Sequence, residues 1–186
     1  MRVIAGRLRS RQLRSVPGRD TRPTTDRARA GLFDWLGSRV SGQVLDLYAG
    51  TGALGIEALS RDCHRAVFVE RGRRALGVLR GNLTDLGLDE VSEVIPRDVR
   101  RALAQLAAQP ARFQLILADP PYEDDWNRGP GASIEIAALL APGGVLIVER
   151  AERSPRSEAA GLVYRASRTY GEAAFDWFER AGEDEP

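Results

Sequence analysis

The chain has 186 residues, 43% of them apolar and 28% charged, with a formal net charge of +1. That length makes one domain with a core of its own and leaves no room for a second large one. A single cysteine, Cys63, and a single histidine, His64, exclude a disulfide framework and any zinc site built from several Cys and His ligands.

The start, Met1 to Ala5, is too short and too soon charged for a signal sequence, and no apolar run reaches membrane-spanning length. A cytoplasmic monomer with no membrane partner and no metal is therefore expected. Charge is unevenly placed: the first 29 residues hold nine arginines against Asp20 and Asp26, a balance of +7, so everything after sums to minus six. All 27 basic residues are arginine, whose planar guanidinium suits paired phosphate contacts and base stacking. Residues 1–23 read as a basic RNA-gripping arm with Arg7, Arg9, Arg11 and Arg22 as contacts; a solvated tail is the alternative. Met1 to Gly6 alternates like a short strand, and Leu8 and Leu13 are spaced to pack, which favours a folded arm.

Arg22-Pro23-Thr24-Thr25-Asp26 reads as a helix start, with Ala28, Leu32, Phe33 and Leu36 on one face and Gly37 as the stop. Next comes an apolar strand, Val44-Leu45-Asp46-Leu47-Tyr48, that runs into Ala49-Gly50-Thr51-Gly52-Ala53-Leu54-Gly55 and a helix through Ser60. Strand, G-x-G-x-x-G turn and helix in that order make a nucleotide-type cofactor turn, where glycines let the backbone approach the ligand. Glu70 ends the second strand run, 65–70, twenty positions after Gly50, the spacing at which an acid takes both hydroxyls of a ribose. These features suit a nicotinamide dinucleotide as well as S-adenosylmethionine. Asp46 discriminates, because a carboxylate beside the turn meets the ammonium of a methionine moiety but repels a pyrophosphate. Asp98, after the third apolar run, is placed either to accept from an adenine amino group or to cap the helix Val99 to Ala108. Cys63 and His64 fall on Arg61 to Arg65, expected to be a surface turn.

Phe113-Gln-Leu-Ile-Leu-Ala leads into Asp119-Pro120-Pro121-Tyr122. Neither proline has an N–H and each holds its predecessor extended, so this backbone is stiff and its carbonyls are uncommitted. An exocyclic amine on a base is a poor nucleophile because its lone pair is delocalised into the ring. The Asp119 carboxylate and the Pro120 carbonyl are acceptors for its hydrogens, and Tyr122 offers a ring on which an extruded base stacks. The tetrapeptide therefore points to methylation of a nucleobase amine, the alternative being a plain turn after a strand.

From residue 43 apolar runs and helix-length segments alternate: 43–48, 52–60, 65–70, 72–86, 91–95, 98–109, 113–119, 130–140 and 143–149. The expected fold is α/β, a doubly wound, mostly parallel, seven-stranded Rossmann-like sheet over residues 24–180, with ligands at the carboxyl ends of the strands. Residues 151–160 are expected as a surface loop. Two last runs, 161–169 and 172–179, meet at Tyr170-Gly171 as a terminal antiparallel hairpin, and residues 181–186 form an acidic tail.

Over nearly its whole length the chain resembles the RsmD-type methyltransferases of bacterial small-subunit (16S) rRNA. The resemblance rests on Arg22-Pro-Thr-Thr-Asp26-Arg27-Ala-Arg29 through Leu32-Phe33-Asp34-Trp35-Leu36, on Asp46 through Gly55-Ile-Glu57-Ala-Leu-Ser60-Arg61, and on Asp119-Pro-Pro-Tyr122. It implies methyl transfer from S-adenosylmethionine to the N2 of one guanine, at position 966 in the rRNA convention. It also implies Asp46, Gly50, Gly52, Glu70 and Asp98 as cofactor residues, Asp119 to Tyr122 as the catalytic loop and the arginine arm as the contact to 16S rRNA within a small subunit or its precursor. Two positions depart from the family pattern: Ala30 where Glu is usual and Asp34 where Asn is common. Two other functions compete. A DNA adenine-N6 methyltransferase would use the same tetrapeptide, but no segment is large enough to read DNA sequence; a non-catalytic binding module would have little use for the acceptor motif.

Overall fold

The computed structural model describes residues 1–16, 25–110, 112–121 and 125–181. Among them, β1 (Gly42–Leu47), β2 (Cys63–Val69), β3 (Ser92–Ile95), β4 (Phe113–Ala118), β5 (Leu140–Ala151), β6 (Val163–Tyr170) and β7 (Ala173–Glu179) form one sheet in the order β3-β2-β1-β4-β5-β7-β6. The first five strands pair in parallel, and β7 runs antiparallel to both β5 and β6. This is the expected doubly wound sheet with its hairpin. The chain works outward from β1 to β3 and then crosses to β4, so the switch point lies between β1 and β4.

Helices cover both faces, which is why the central strands are mostly apolar and buried over their inner residues rather than alternating. α1 (Asp26–Leu36), α2 (Ala53–Ser60) and α3 (Arg73–Leu86) bury Leu32, Phe33, Ile56, Leu59, Leu79 and Leu83 against Val44, Phe68, Leu115 and Phe175. On the opposite face α4 (Val99–Ala107) and α5 (Ile134–Leu139) bury Leu103, Leu106, Ile136 and Leu139 against Val69, Ile116, Val148 and Phe178. α1 begins and ends where its sequence signals place it. Thr25 Oγ1 accepts from the Ala28 N–H at 3.1 Å, and Gly37 closes the helix at a φ of 52°. The Tyr170 hydroxyl donates to the Gly31 carbonyl at 2.8 Å, which fixes α1 to the β6–β7 hairpin.

Residues 1–13 fold back on themselves, with a bridge between Arg2 and Gln12 and with Val3 and Leu13 buried. They lie on α2: Glu57 accepts from the N–H groups of Ile4 and Ala5 at 2.7 and 3.0 Å, and Ser60 Oγ accepts from the Leu8 N–H at 3.0 Å. Two expectations need correction. Cys63 and His64 open β2 instead of occupying a surface turn, and Cys63 is buried with its thiol pushed up to about 12 by burial and by Asp62, so it is inert. The helix expected over 130–140 is a short 3-10 turn at Pro130–Ala132 followed by α5, because Gly129, Pro130 and Gly131 break it. Among the described residues no helix is long and apolar enough to cross a membrane.

Candidate active site

Strand register brings four ends to one edge: Leu47 of β1 pairs with Val69 of β2 and Ala118 of β4, and Val69 pairs with Ile95 of β3. Asp46, Glu70 and Asp119 each lie within one residue of those ends, and Asp98 follows β3 by three. Acids scattered over more than seventy positions of sequence therefore share the carboxyl edge of the sheet, on both sides of the switch point.

The turn after β1 is shaped by its glycines. Gly52 has a φ of 84°, and a Cβ there would lie 2.4 Å from a Leu79 methyl. At Gly55 a Cβ would lie 2.4 Å from the Phe68 ring and 3.0 Å from Asp46 Oδ2, so that side chain must be absent for the carboxylate to approach the helix. Asp46 Oδ2 accepts from the Gly55 N–H at 2.9 Å. Glu70 accepts from the N–H groups of Gly50 and Gly72 at 2.8 and 2.6 Å, one on each oxygen, which ties the second strand end to the turn. Each oxygen keeps a lone pair for a ligand hydroxyl. Asn82 Nδ2 donates to the Thr51 carbonyl at 2.9 Å from α3.

Electrostatics mark the same place. Burial pushes the Asp46 carboxyl up to about 7, against the lowering effect of the Gly55 N–H and with a further upward push from Asp119 and Glu70. Burial also pushes Asp119 up to about 6. Several carboxylates crowded into a poorly solvated edge favour a cationic ligand and disfavour a polyphosphate. Asp98 caps α4 through the Arg100 N–H at 3.0 Å and pairs with Arg71 at 3.3 Å, leaving its carboxylate at the surface.

Asp119 follows β4 directly, with its N–H 3.4 Å from the Leu47 carbonyl, and Pro120 and Pro121 continue outward. Tyr122 and Arg22, and with them the acidic residues 182–186, lie outside the described residues. Of the arm arginines, Arg7 donates to the Leu59 carbonyl at 3.3 Å and Arg11 to the Asp85 carbonyl at 2.9 Å, while Arg9 is exposed.

Three features were not foreseen. Tyr48, the residue between β1 and the turn, has a φ of 61°, unusual for an aromatic side chain. Arg29 of α1 is fully buried, with Nη2 bonded to the Arg2 carbonyl and to Asp26 and Nε 4.0 Å from Glu57, itself buried. Asn82, also buried, joins the turn to the arm, accepting from the Arg14 N–H at 2.8 Å and donating to the Arg14 carbonyl at 3.2 Å. For Arg29 and Asn82 the available signal was an isolated charge or amide on an otherwise apolar helical face; Tyr48 carried none.

Comparison with known proteins identifies the architecture. Residues 1–179 match the family described as Conserved hypothetical protein 95. The chain is 35% identical to YlbH of Bacillus subtilis (strain 168), covering 98% of this chain and 100% of that one. It is 30% identical to ribosomal RNA small subunit methyltransferase D of Escherichia coli (strain K12), covering 100% of this chain and 92% of the relative. A solved structure of a Thermus thermophilus protein, 31% identical, superposes with a TM-score of 0.82 over 96% of this chain and 99% of that one. The chain belongs to the RsmD-type family, the family of the ribosomal RNA small subunit methyltransferase D proteins.

Proposed function

We propose that this chain is an S-adenosylmethionine-dependent methyltransferase that transfers a methyl group to the exocyclic N2 of a guanine in small-subunit 16S rRNA. The observation that carries the reading is the pair of acids at the ends of adjacent strands, both with carboxyls pushed up by their surroundings: buried Asp46 beside the glycine turn and half-buried Asp119 at the head of the double-proline loop. Asp46 suits the ammonium of the cofactor, Glu70 its ribose hydroxyls, Gly50 to Gly52 the close approach of its backbone-facing side, and Asp98 its adenine amine. When bound, the cofactor supplies an electrophilic methyl on a sulfonium.

The chain's own residues do the rest. Asp119 and the Pro120 carbonyl accept the two hydrogens of the amine, the nitrogen lone pair localises, and the N–C bond forms as the C–S bond breaks. One proton passes to Asp119 and from there to water, so no covalent enzyme intermediate is required. Pro121 stiffens the loop, and Tyr122 stacks on the extruded base. Residues 1–23 act as the RNA-gripping arm on the catalytic domain of residues 24–180, with Arg7, Arg9, Arg11 and Arg22 facing phosphates, and the protein acts as a cytoplasmic monomer. Asp119→Ala tests the assignment: cofactor binding is retained and turnover drops by on the order of a hundredfold or more. Unimpaired turnover in that variant would refute it.

A further inference from the structure

The chain emerges from the double-proline loop at Asp125 and is fastened at once. Trp126 is buried in the hydrophobic core on the α4 and α5 face of the sheet, and its Nε1 donates to the Glu158 carbonyl at 2.7 Å. Asn127 spends its amide on the same partner segment, donating from Nδ2 to the Arg156 carbonyl at 3.2 Å and accepting at Oδ1 from the Glu158 N–H at 2.9 Å. A few residues on, the packing leaves no spare room: a Cβ at Gly131 would lie 2.5 Å from Trp126 Nε1 and 2.5 Å from the Glu158 carbonyl oxygen. The Ala160 N–H closes the seam on the Gly131 carbonyl at 2.7 Å.

The partner segment is itself held from inside the sheet. Asp176 on β7 is fully buried; its Oδ2 accepts from the Ser157 N–H at 2.7 Å and from Arg150 Nε at 2.8 Å, and its Oδ1 accepts from Ser167 and from Arg150 Nη2 at 3.3 Å. Arg150 Nη1 donates in turn to the carbonyls of Ala151, Glu152 and Ser154 at 3.2, 3.1 and 3.0 Å. A loop that only joined β5 to β6 would need no such fastening. A buried carboxylate surrounded by donors holds those donors firmly, because displacing any one of them leaves a buried charge less compensated.

From these contacts we propose that residues 152–158 are a brace for the catalytic loop and that Asn127 is the positioning residue through which the brace acts on transfer. Four peptide steps separate Pro121 from Asp125, a reach of at most about 14 Å. Fixing 125–127 against the core therefore limits where Pro120 and its carbonyl stand, and small misplacements of an acceptor are expensive in rate. Asn127 does not read the base: its amide oxygen and one amide hydrogen are already committed to residues 158 and 156. The inference rests on the reading of Asp119 and Pro120 as acceptors.

The test compares Asn127→Ala with Asp119→Ala in steady-state methylation, with cofactor binding and thermal unfolding measured alongside. Loss of two hydrogen bonds of ordinary net strength corresponds to roughly a tenfold fall in kcat, with the cofactor Kd of Asn127→Ala within error of the parent and its Tm lower by a few degrees. A fall in Tm with kcat unchanged would mean a merely structural contact and overturn the inference. Turnover lost in Asp119→Ala and kept in Asn127→Ala would overturn it too, while leaving the acceptor reading intact; turnover kept in both removes the acceptor reading and the brace with it. Hydrogen exchange on the parent protein supplies a check that needs no variant: segments 125–131 and 154–160 exchange together, and independent exchange would contradict the brace.

Discussion

Replacing Asp46 by Asn separates what the site costs from what it does. The carboxyl ionises at about 7 in the folded chain against an ordinary value of 3.8, chiefly because it is buried. A raised value means that the folded chain holds a proton the unfolded chain has lost, so stability falls as pH rises from about 4 to about 7 and levels off above. At about 1.36 kcal/mol per pH unit, that interval is on the order of 4 kcal/mol. Asn has the same shape and keeps an oxygen for the Gly55 N–H, while its amide hydrogens must be accommodated where few acceptors are free, so about 2 kcal/mol should survive as net gain at pH 8. For a chain of this length that is a rise in Tm of roughly 4–8 °C. Calorimetry at pH 8 and pH 5 measures it: the variant melts higher at pH 8, the difference shrinks by more than half at pH 5, and cofactor binding is lost at both. A gain independent of pH, or a loss at pH 8, would refute the reasoning.

Two further outcomes follow from the same geometry. Asp119 must be ionised to accept a proton, so kcat falls about tenfold per pH unit below a midpoint of about 6 and is flat above it; a rate constant with pH between 5 and 8 would exclude Asp119 as the acceptor. Exposed Arg9 is the cleanest probe of the arm, because its neighbours Arg7 and Arg11 also hold the fold together. Arg9→Gln lowers the slope of log affinity against log salt for rRNA by about 0.7 to 0.9, one phosphate contact, and an unchanged slope removes it from the interface.

Much of the fold is legible in the sequence because strands covered on both faces become nearly continuous apolar runs, and the runs of β2, β4 and β5 are followed directly by an acid, Glu70, Asp119 and Glu149. Val44 to Leu47 and Phe113 to Ala118 are examples, and the acids Asp46, Glu70 and Asp119 mark the edge they reach. β2 begins earlier than its apolar run because Cys63, His64 and Arg65 lie at the strand's start, where His64 and Arg65 are exposed and carry no apolar signal. The docking of residues 1–13 was beyond local reading: its fasteners, Glu57, Ser60 and Asn82, are 50 to 70 positions away in sequence. The same holds for the seam between Trp126 and Glu158, where the sequence offers two polar surface segments and only the fold joins them.

The central claim is tested most directly by incubating the protein with labelled S-adenosylmethionine and small ribosomal subunits from cells lacking the cognate enzyme, then digesting the RNA and identifying the labelled nucleoside. The account predicts N2-methylguanosine at a single site in 16S rRNA; label in adenine or DNA, or bound cofactor with no transfer to RNA, would contradict it.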